Sequence, residues 1–255
     1  MVDGVGPSPA IEIRGARLTY GATEVFHDLD IDLGGGVWTG LIGRSGVGKT
    51  SLLRLVAGLA DGATGEVTMR GRDGARAAGR LAYMAQQDLL MPWLTVLDNV
   101  ILGVRLRGGD RFDSNTLARG RHLLAAVGLE DKAEALPAAL SGGMRQRAAL
   151  ARTLMEDRPV VLMDEPFSSL DAITRYRLQD LAAELLTGRT VLLVTHDPLE
   201  ALRLCQVVHV LAGAPAAVQS TIAPEGDPPR DITDRRLLAL HGELLTGLAA
   251  ERRAA

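Results

Sequence analysis

The chain is 255 residues long, 47% hydrophobic and 3% aromatic, enough at about 150 residues per domain for one large domain or two small ones with a buried core. Its single cysteine, Cys205, excludes an internal disulfide framework and a multi-cysteine zinc site and reads as a small buried hydrophobe. With 28 basic against 31 acidic residues there is no basic excess, so nucleic acid is not expected as a partner.

Apolar runs such as Val160–Met163 and Val191–Val194 are four residues long, against about 20 needed to cross a bilayer. Met1–Ala10 has neither the basic nor the apolar region of a leader, so a soluble, cytoplasmic α/β protein is expected. In chain order, Ile11 and Ile13, then Leu18 and Tyr20, then Leu29, Ile31 and Leu33 mark apolar positions two apart, as half-buried strands require. Gly21 and Gly34–Gly36 punctuate them as turns. Val37–Ile42 is a buried strand leading into a glycine loop, and Leu52, Leu53, Leu55, Val56 and Leu59 keep a helical period behind it. Gly65–Arg70 and Leu81–Met84 read as short strands, and from about Asp88 to Met155 the pattern is helical, with Leu117, Leu123, Leu124, Val127 and Leu129 on one stretch and Arg145–Leu154 on another. All-apolar strands return at Val160–Met163, Val191–Val194 and Val207–Leu211, with a helix over Ala172–Leu186. This alternation predicts a parallel sheet with antiparallel strands leading in and a helical insert. Ala212–Asp231 reads as a loop or linker. Leu237, Leu238, Leu244, Leu245 and Leu248 form one face of a terminal helix that either packs back on the domain or meets a partner.

The segment Gly43-Arg44-Ser45-Gly46-Val47-Gly48-Lys49-Thr50, continued by Ser51, fits G-x-x-x-x-G-K-[ST] between a strand and a helix. Its glycines let successive N–H groups point at phosphate oxygens, and the helix dipole adds to that field. Lys49 supplies a cation for the β- and γ-phosphates, and the Thr50 hydroxyl can ligate Mg²⁺. Val160-Val161-Leu162-Met163-Asp164-Glu165 then delivers a carboxylate to a strand end. Alone, such an acidic pair is more often a helix cap; beside a phosphate loop, Asp164 can hold Mg²⁺ through water and Glu165 can polarise an attacking water.

Leu140-Ser141-Gly142-Gly143-Met144-Arg145-Gln146-Arg147 places a serine and two glycines at a helix N-terminus, a second phosphate site. It resembles the signature motif of the ABC-transporter ATPases. The resemblance covers roughly Ile11–Leu211 and implies a P-loop (RecA-like) ATPase core with an N-terminal antiparallel β subdomain. It further implies an ABC ATPase domain over 9–235, a helical subdomain over about 88–155 and a C-terminal helix or tail over 236–255. Other positions match the family in turn. Tyr20 stands where these ATPases stack an aromatic on adenine, although a lone strand tyrosine is more often core. Gln86, with Gln87 beside it, resembles the glutamine that reaches Mg²⁺ and the attacking water. Ser169-Leu170-Asp171 resembles the loop that crosses to the opposite monomer, and His196 resembles the histidine that contacts the γ-phosphate. The implied mechanism is phosphoryl transfer to water, with two ATPs sandwiched between head-to-tail copies. Each copy gives its phosphate loop in cis and Ser141, Gly142 and Gly143 in trans, and Thr50, Gln86 and, through water, Asp164 hold the metal.

One cassette without a membrane span implies separate permease subunits. Leu89-Leu90-Met91-Pro92-Trp93-Leu94-Thr95-Val96-Leu97-Asp98-Asn99-Val100 is similar to the corresponding segment of importers of the nitrate, sulfonate and taurine group and of those for the hydroxymethylpyrimidine precursor of thiamine. Met84–Asp88 tilts the reading toward the second branch. In such importers the segment forms the groove for a coupling helix of the membrane subunit; a buried helix is the alternative. The expected protein is thus a peripheral subunit on the cytoplasmic face of the inner membrane, linked indirectly to a solute-binding protein. The second reading is a soluble ABC-type ATPase that remodels a protein or nucleic-acid complex. A metabolite kinase shares the phosphate loop but has no use for Leu140–Met144.

Overall fold

The computed structural model describes residues 8–70, 80–108 and 113–254. Most of the expected leaderless start, residues 1–7, and the end of the expected tail, residue 255, lie outside them. The chain divides into two compact units: Met1–Leu81, Pro159–Glu165 and Thr187–Ala255 form the first, and Ala82–Arg158 and Pro166–Leu186 the second.

In the first unit, β1 (Ala10–Tyr20) pairs antiparallel with β2 (Thr23–Leu33) and, along its other edge, with β4 (Thr64–Arg70). Ile11, Ile13, Leu18, Leu29, Ile31 and Leu33 are all buried, as the period of two predicts. The alternation slips between Ile13 and Ala16 and again before Leu18, where the register shifts. Tyr20 departs from the core reading: it ends β1 with 45% of its surface exposed.

The main sheet of this unit runs β6 (Val160–Asp164), β7 (Thr190–Val194), β3 (Trp38–Gly43), β8 (Val207–Ala212), β9 (Ala217–Ile222). The pairs β6–β7, β7–β3 and β3–β8 are parallel, and every residue of β3, β6 and β7 is buried. Strands covered on both faces have no polar alternation, hence the uninterrupted apolar runs. Helices α1 (Lys49–Val56) and α7 (Pro198–Leu204) pack on β3, and α8 (Arg235–Ala254) packs on α7.

Two expectations for this unit need correction. The linker read over Ala212–Asp231 contains β9, antiparallel to β8 at the sheet edge. No residue of β9 is buried, so the strand carries no periodic apolar signal. The terminal leucines do not share one face: Leu237 and Leu244 are buried, whereas Leu238 and Leu245 are each 46% exposed. A step of one residue turns a helix by about 100°, which separates the two rows.

In the second unit, β5 (Leu81–Met84) is followed by α2 (Val96–Val100), α3 (Leu102–Leu106), α4 (Ser114–Ala126), α5 (Gly142–Met155) and α6 (Ala172–Leu185). Helices α2, α4 and α5 pack together around Val96, Leu97, Val100, Ile101, Leu123 and Leu124. Helices do not begin at Asp88 as expected; the first starts at Val96, capped by Thr95, whose hydroxyl accepts from Asp98 N–H. Asp113, Ser141 and Asp171 cap α4, α5 and α6 in the same way.

Thr190 is a fixed joint of the first unit. Its fully buried hydroxyl accepts from Gly36 N–H (2.8 Å) and donates to Pro9 C=O (2.7 Å), while Ser8 Oγ donates to Gly188 C=O (2.7 Å). Thr190→Val keeps the shape and orphans a backbone donor and acceptor, so it is expected to lower stability by about 2 kcal/mol in urea unfolding.

Candidate functional site

The parallel strands of the first unit end on one edge, where open α/β sheets gather functional loops. The loop after β3 runs from Gly43 to Gly48. A Cβ on Gly48, at φ +111°, would lie 2.8 Å from Val25 Cγ1 and 3.0 Å from the Phe26 ring, so β2 presses directly on the loop. Lys49 is 7% exposed, and its ammonium donates to Gly43 C=O (2.7 Å) and Arg44 C=O (2.9 Å), closing the loop. Burial lowers the Lys49 pKa, opposed by Glu165 and Asp164. No side chain caps α1 at Gly48, which leaves its first-turn N–H groups to an anion.

Asp164 ends β6 at 1% exposure, and neither carboxylate oxygen has a hydrogen-bond partner. Burial raises its pKa against the pull of the nearby Thr50 hydroxyl, which stops short of hydrogen-bond geometry, and of Lys49. A buried carboxylate of this kind is costly unless a cation completes it. Two unused anionic oxygens beside a hydroxyl form a hard oxygen donor set that fits Mg²⁺.

Glu165, 9% exposed, adopts φ +52°, a left-handed backbone rare for a residue with a side chain and costing about 1–3 kcal/mol. Its N–H donates to Val194 C=O at 2.9 Å, which fixes it to the end of β7. His196, beyond that strand, lies with Nδ1 2.6 Å from Glu165 Oε2; with the carboxylate ionised, the ring N–H is the donor. Burial raises the Glu165 pKa, while His196 and Lys49 draw it down. The His196 ring thus holds one oxygen of the carboxylate in place. Cys205 is fully buried and burial pushes its thiol pKa up, in keeping with a packing role.

The second unit carries the remaining candidates. Gln86 and Gln87 come after β5 and are both exposed. Ser141 is the exposed N-cap of α5, its hydroxyl accepting from Met144 N–H at 3.3 Å, and Gly142 is exposed beside it. Gly143 packs so that a Cβ would sit 3.1 Å from Ser169 C=O. Asp171 caps α6 by accepting from Thr174 N–H (3.0 Å), and Leu170 is buried. Gln146, which the motif contains without a role, is 4% exposed and donates to Pro166 C=O at 3.1 Å, tying the signature helix to the segment after Glu165. Arg145 and Arg152 have no role in the motif reading either; their spacing of seven places both on one face of α5, the signal that could single them out.

Residues 26–168 match the ABC transporter family. The chain belongs to the ABC transporter family. It is 41% identical over 244 residues to an uncharacterised ABC transporter ATP-binding protein of Haemophilus influenzae, covering 94% of this chain and 99% of that one. It is 40% identical over 244 residues to an aliphatic sulfonates import ATP-binding protein of Pseudomonas syringae pv. syringae, covering 95% and 97% of the two. Among solved structures, an ATP-binding cassette described as a dimer in a post-hydrolysis state bound to ADP and Pi superposes with a TM-score of 0.76 at 26% identity, over 85% of this chain and all of that one. The α/β fold expected for an ABC ATPase is therefore the one observed.

The two raised carboxylate pKa values set a pH dependence. A carboxyl whose folded pKa lies above its unfolded value favours folding less as pH rises, because the unfolded chain ionises it more easily. Asp164→Asn removes that cost. The substituted protein is expected to melt at a higher temperature than the parent at about pH 8, with the gain shrinking toward about pH 4. Melting scans without nucleotide check this, and a gain independent of pH would contradict the assigned cause.

Proposed function

We propose that the chain is the ATP-hydrolysing subunit of an importer and works as a head-to-tail pair bound to separate membrane subunits. Its activity is that of an ABC ATPase, and the observation that carries the site assignment is the unpartnered, buried Asp164 lying beside Thr50, Lys49 and the Glu165–His196 pair. No helix among the described residues is long and apolar enough to cross a membrane, which fits a peripheral subunit on the cytoplasmic face.

In this reading the Gly43–Gly48 backbone, Lys49, Thr50 and Ser51 cradle the phosphates, and the exposed Tyr20 ring stacks on adenine. Thr50, Gln86 and, through water, Asp164 hold Mg²⁺, which neutralises charge on the β- and γ-phosphate oxygens when bound. Glu165 accepts a hydrogen bond from the attacking water. The His196 ring holds that carboxylate from its Nδ1 side, which leaves Nε2 for the γ-phosphate. Ser141, Gly142 and Gly143 act on the ATP of the opposite copy. Such catalysis rests on positioning and on preorganised charge rather than on covalent chemistry.

The exposed side chains of Leu89 and Trp93, 53% and 73% accessible, support the docking of the membrane subunit on this segment. Relatives named as aliphatic sulfonates import proteins favour a sulfonate-like anion over a thiamine-precursor pyrimidine as the imported solute. A solute-binding protein completes the system. No relative named above supports the remodelling alternative.

Glu165→Gln keeps size and hydrogen bonding but cannot take the proton. Steady-state phosphate release should fall by at least about 100-fold, since a positioned general base contributes about 10²–10⁴-fold. ATP should still bind and should stabilise a dimer on size-exclusion chromatography. Turnover at the parent rate would remove Glu165 from the water-orienting role.

A further inference from the structure

The segment after Gln86 is held to helix α5 by side chains that the ATPase mechanism does not use. Arg145 donates from Nε to Asp88 Oδ2 (3.0 Å) and from Nη1 to Leu140 C=O (2.8 Å), and its own N–H donates to Ser141 C=O (2.9 Å). One guanidinium thus grips both the chain just before Ser141 and the carboxylate of Asp88. The other oxygen of that carboxylate accepts from Leu90 N–H at 3.1 Å. Two turns along α5, Arg152 donates to Asp88 C=O (2.6 Å) and Leu89 C=O (2.8 Å), where Leu89 turns at φ +46°. The far side of the segment hangs on Asn99, which is fully buried, donates to the carbonyls of Met91, Leu94 and Thr95 and accepts from Met91 N–H. The stretch from Asp88 to Thr95 is therefore held on both sides by side-chain hydrogen bonds, from Arg145 and Arg152 on one side and from Asn99 on the other.

We propose that Asp88, Arg145 and Arg152 are positioning residues of the ATPase, a bracket through which the place of the Leu89–Trp93 segment and the place of Ser141 are coupled. The proposal rests on the reading that Ser141 contacts ATP in the paired state. Coupling is reciprocal: what docks on Leu89 and Trp93 sets Ser141, and ATP held at Ser141 sets Trp93. The bracket touches no reacting atom and acts only through the helix that bears Ser141.

The chain carries its own reporter. Its tryptophans are Trp38, 4% exposed in β3, and Trp93, 73% exposed. In a Trp38→Phe, Glu165→Gln chain, Trp93 is the sole tryptophan and turnover is stopped. Adding ATP with Mg²⁺ should shift the Trp93 emission. Asp88→Ala and Arg152→Gln should each abolish that shift while ATP affinity and the far-UV dichroism spectrum stay those of the parent, and Arg152→Lys, which keeps a cationic donor toward the Asp88 and Leu89 carbonyls, should restore part of it. A shift undiminished in Asp88→Ala combined with Arg152→Gln overturns the bracket, as does a parent that binds ATP without any shift. If those variants fail to fold, Arg145→Lys decides instead: it keeps a cation near Asp88 but cannot hold Leu140 at the same time, and a response equal to the parent's overturns the proposal. A parent that binds no ATP overturns the ATPase reading itself, and the bracket falls with it.

Discussion

A carboxylate without a partner, buried at the end of a parallel strand, is the constraint around which the first unit is arranged. Taking Asp164 out of water disfavours its charged form, and nothing in its own strand compensates, since the four residues before it are buried apolar side chains. What keeps the charge tolerable comes from elsewhere in the chain: the ammonium of Lys49, itself destabilised by burial, and the hydroxyl of Thr50. Each group is less comfortable alone than with the other. The packing that sets their distance, β2 against Gly48 and α1 against the sheet, therefore also sets the electrostatics.

Glu165 extends the same logic by one residue. A strand that simply continued would point this side chain away from Asp164's surroundings and leave its N–H in the ladder. The left-handed turn at Glu165 instead sends its N–H to Val194 and its carboxylate to His196, a residue just past the neighbouring strand. Strain in the backbone is offset by two hydrogen bonds to β7 and its continuation. The rigidity of the central sheet is transferred in this way to a side chain lying just outside it.

Much of this was legible from residues because parallel strands buried on both faces write themselves as apolar runs. Val160–Met163 and Val191–Val194 need no partner to be recognised, and the residues directly after each run must emerge at the sheet's edge. The glycine pattern before Lys49 is equally local. The edge strand β9 was not legible, because exposed side chains on both faces leave no period to detect. The two leucine rows of α8 were merged because apolar residues in adjacent positions read alike until one row is covered. The contact between Glu165 and His196, and the grip of Arg145 and Arg152 on the segment after Gln86, depend on pairings across 31 to 64 positions. Composition and spacing have no access to those distances.

Strand β3 lies at the centre of its sheet, with Trp38 opposite Val191 and Gly40 opposite Val208. Both neighbours come from more than about 150 residues further along the chain, so loop closure precedes any reward from pairing, and folding of this unit is expected to be slow. During synthesis the glycine loop leaves the ribosome attached to an apolar strand with both edges open. It keeps them until β7 and β8 have been made. The glycine loop is among the first segments to be translated, and the strands that give it its geometry are among the last. A nascent chain of this protein is therefore exposed to edge-to-edge aggregation for most of its elongation.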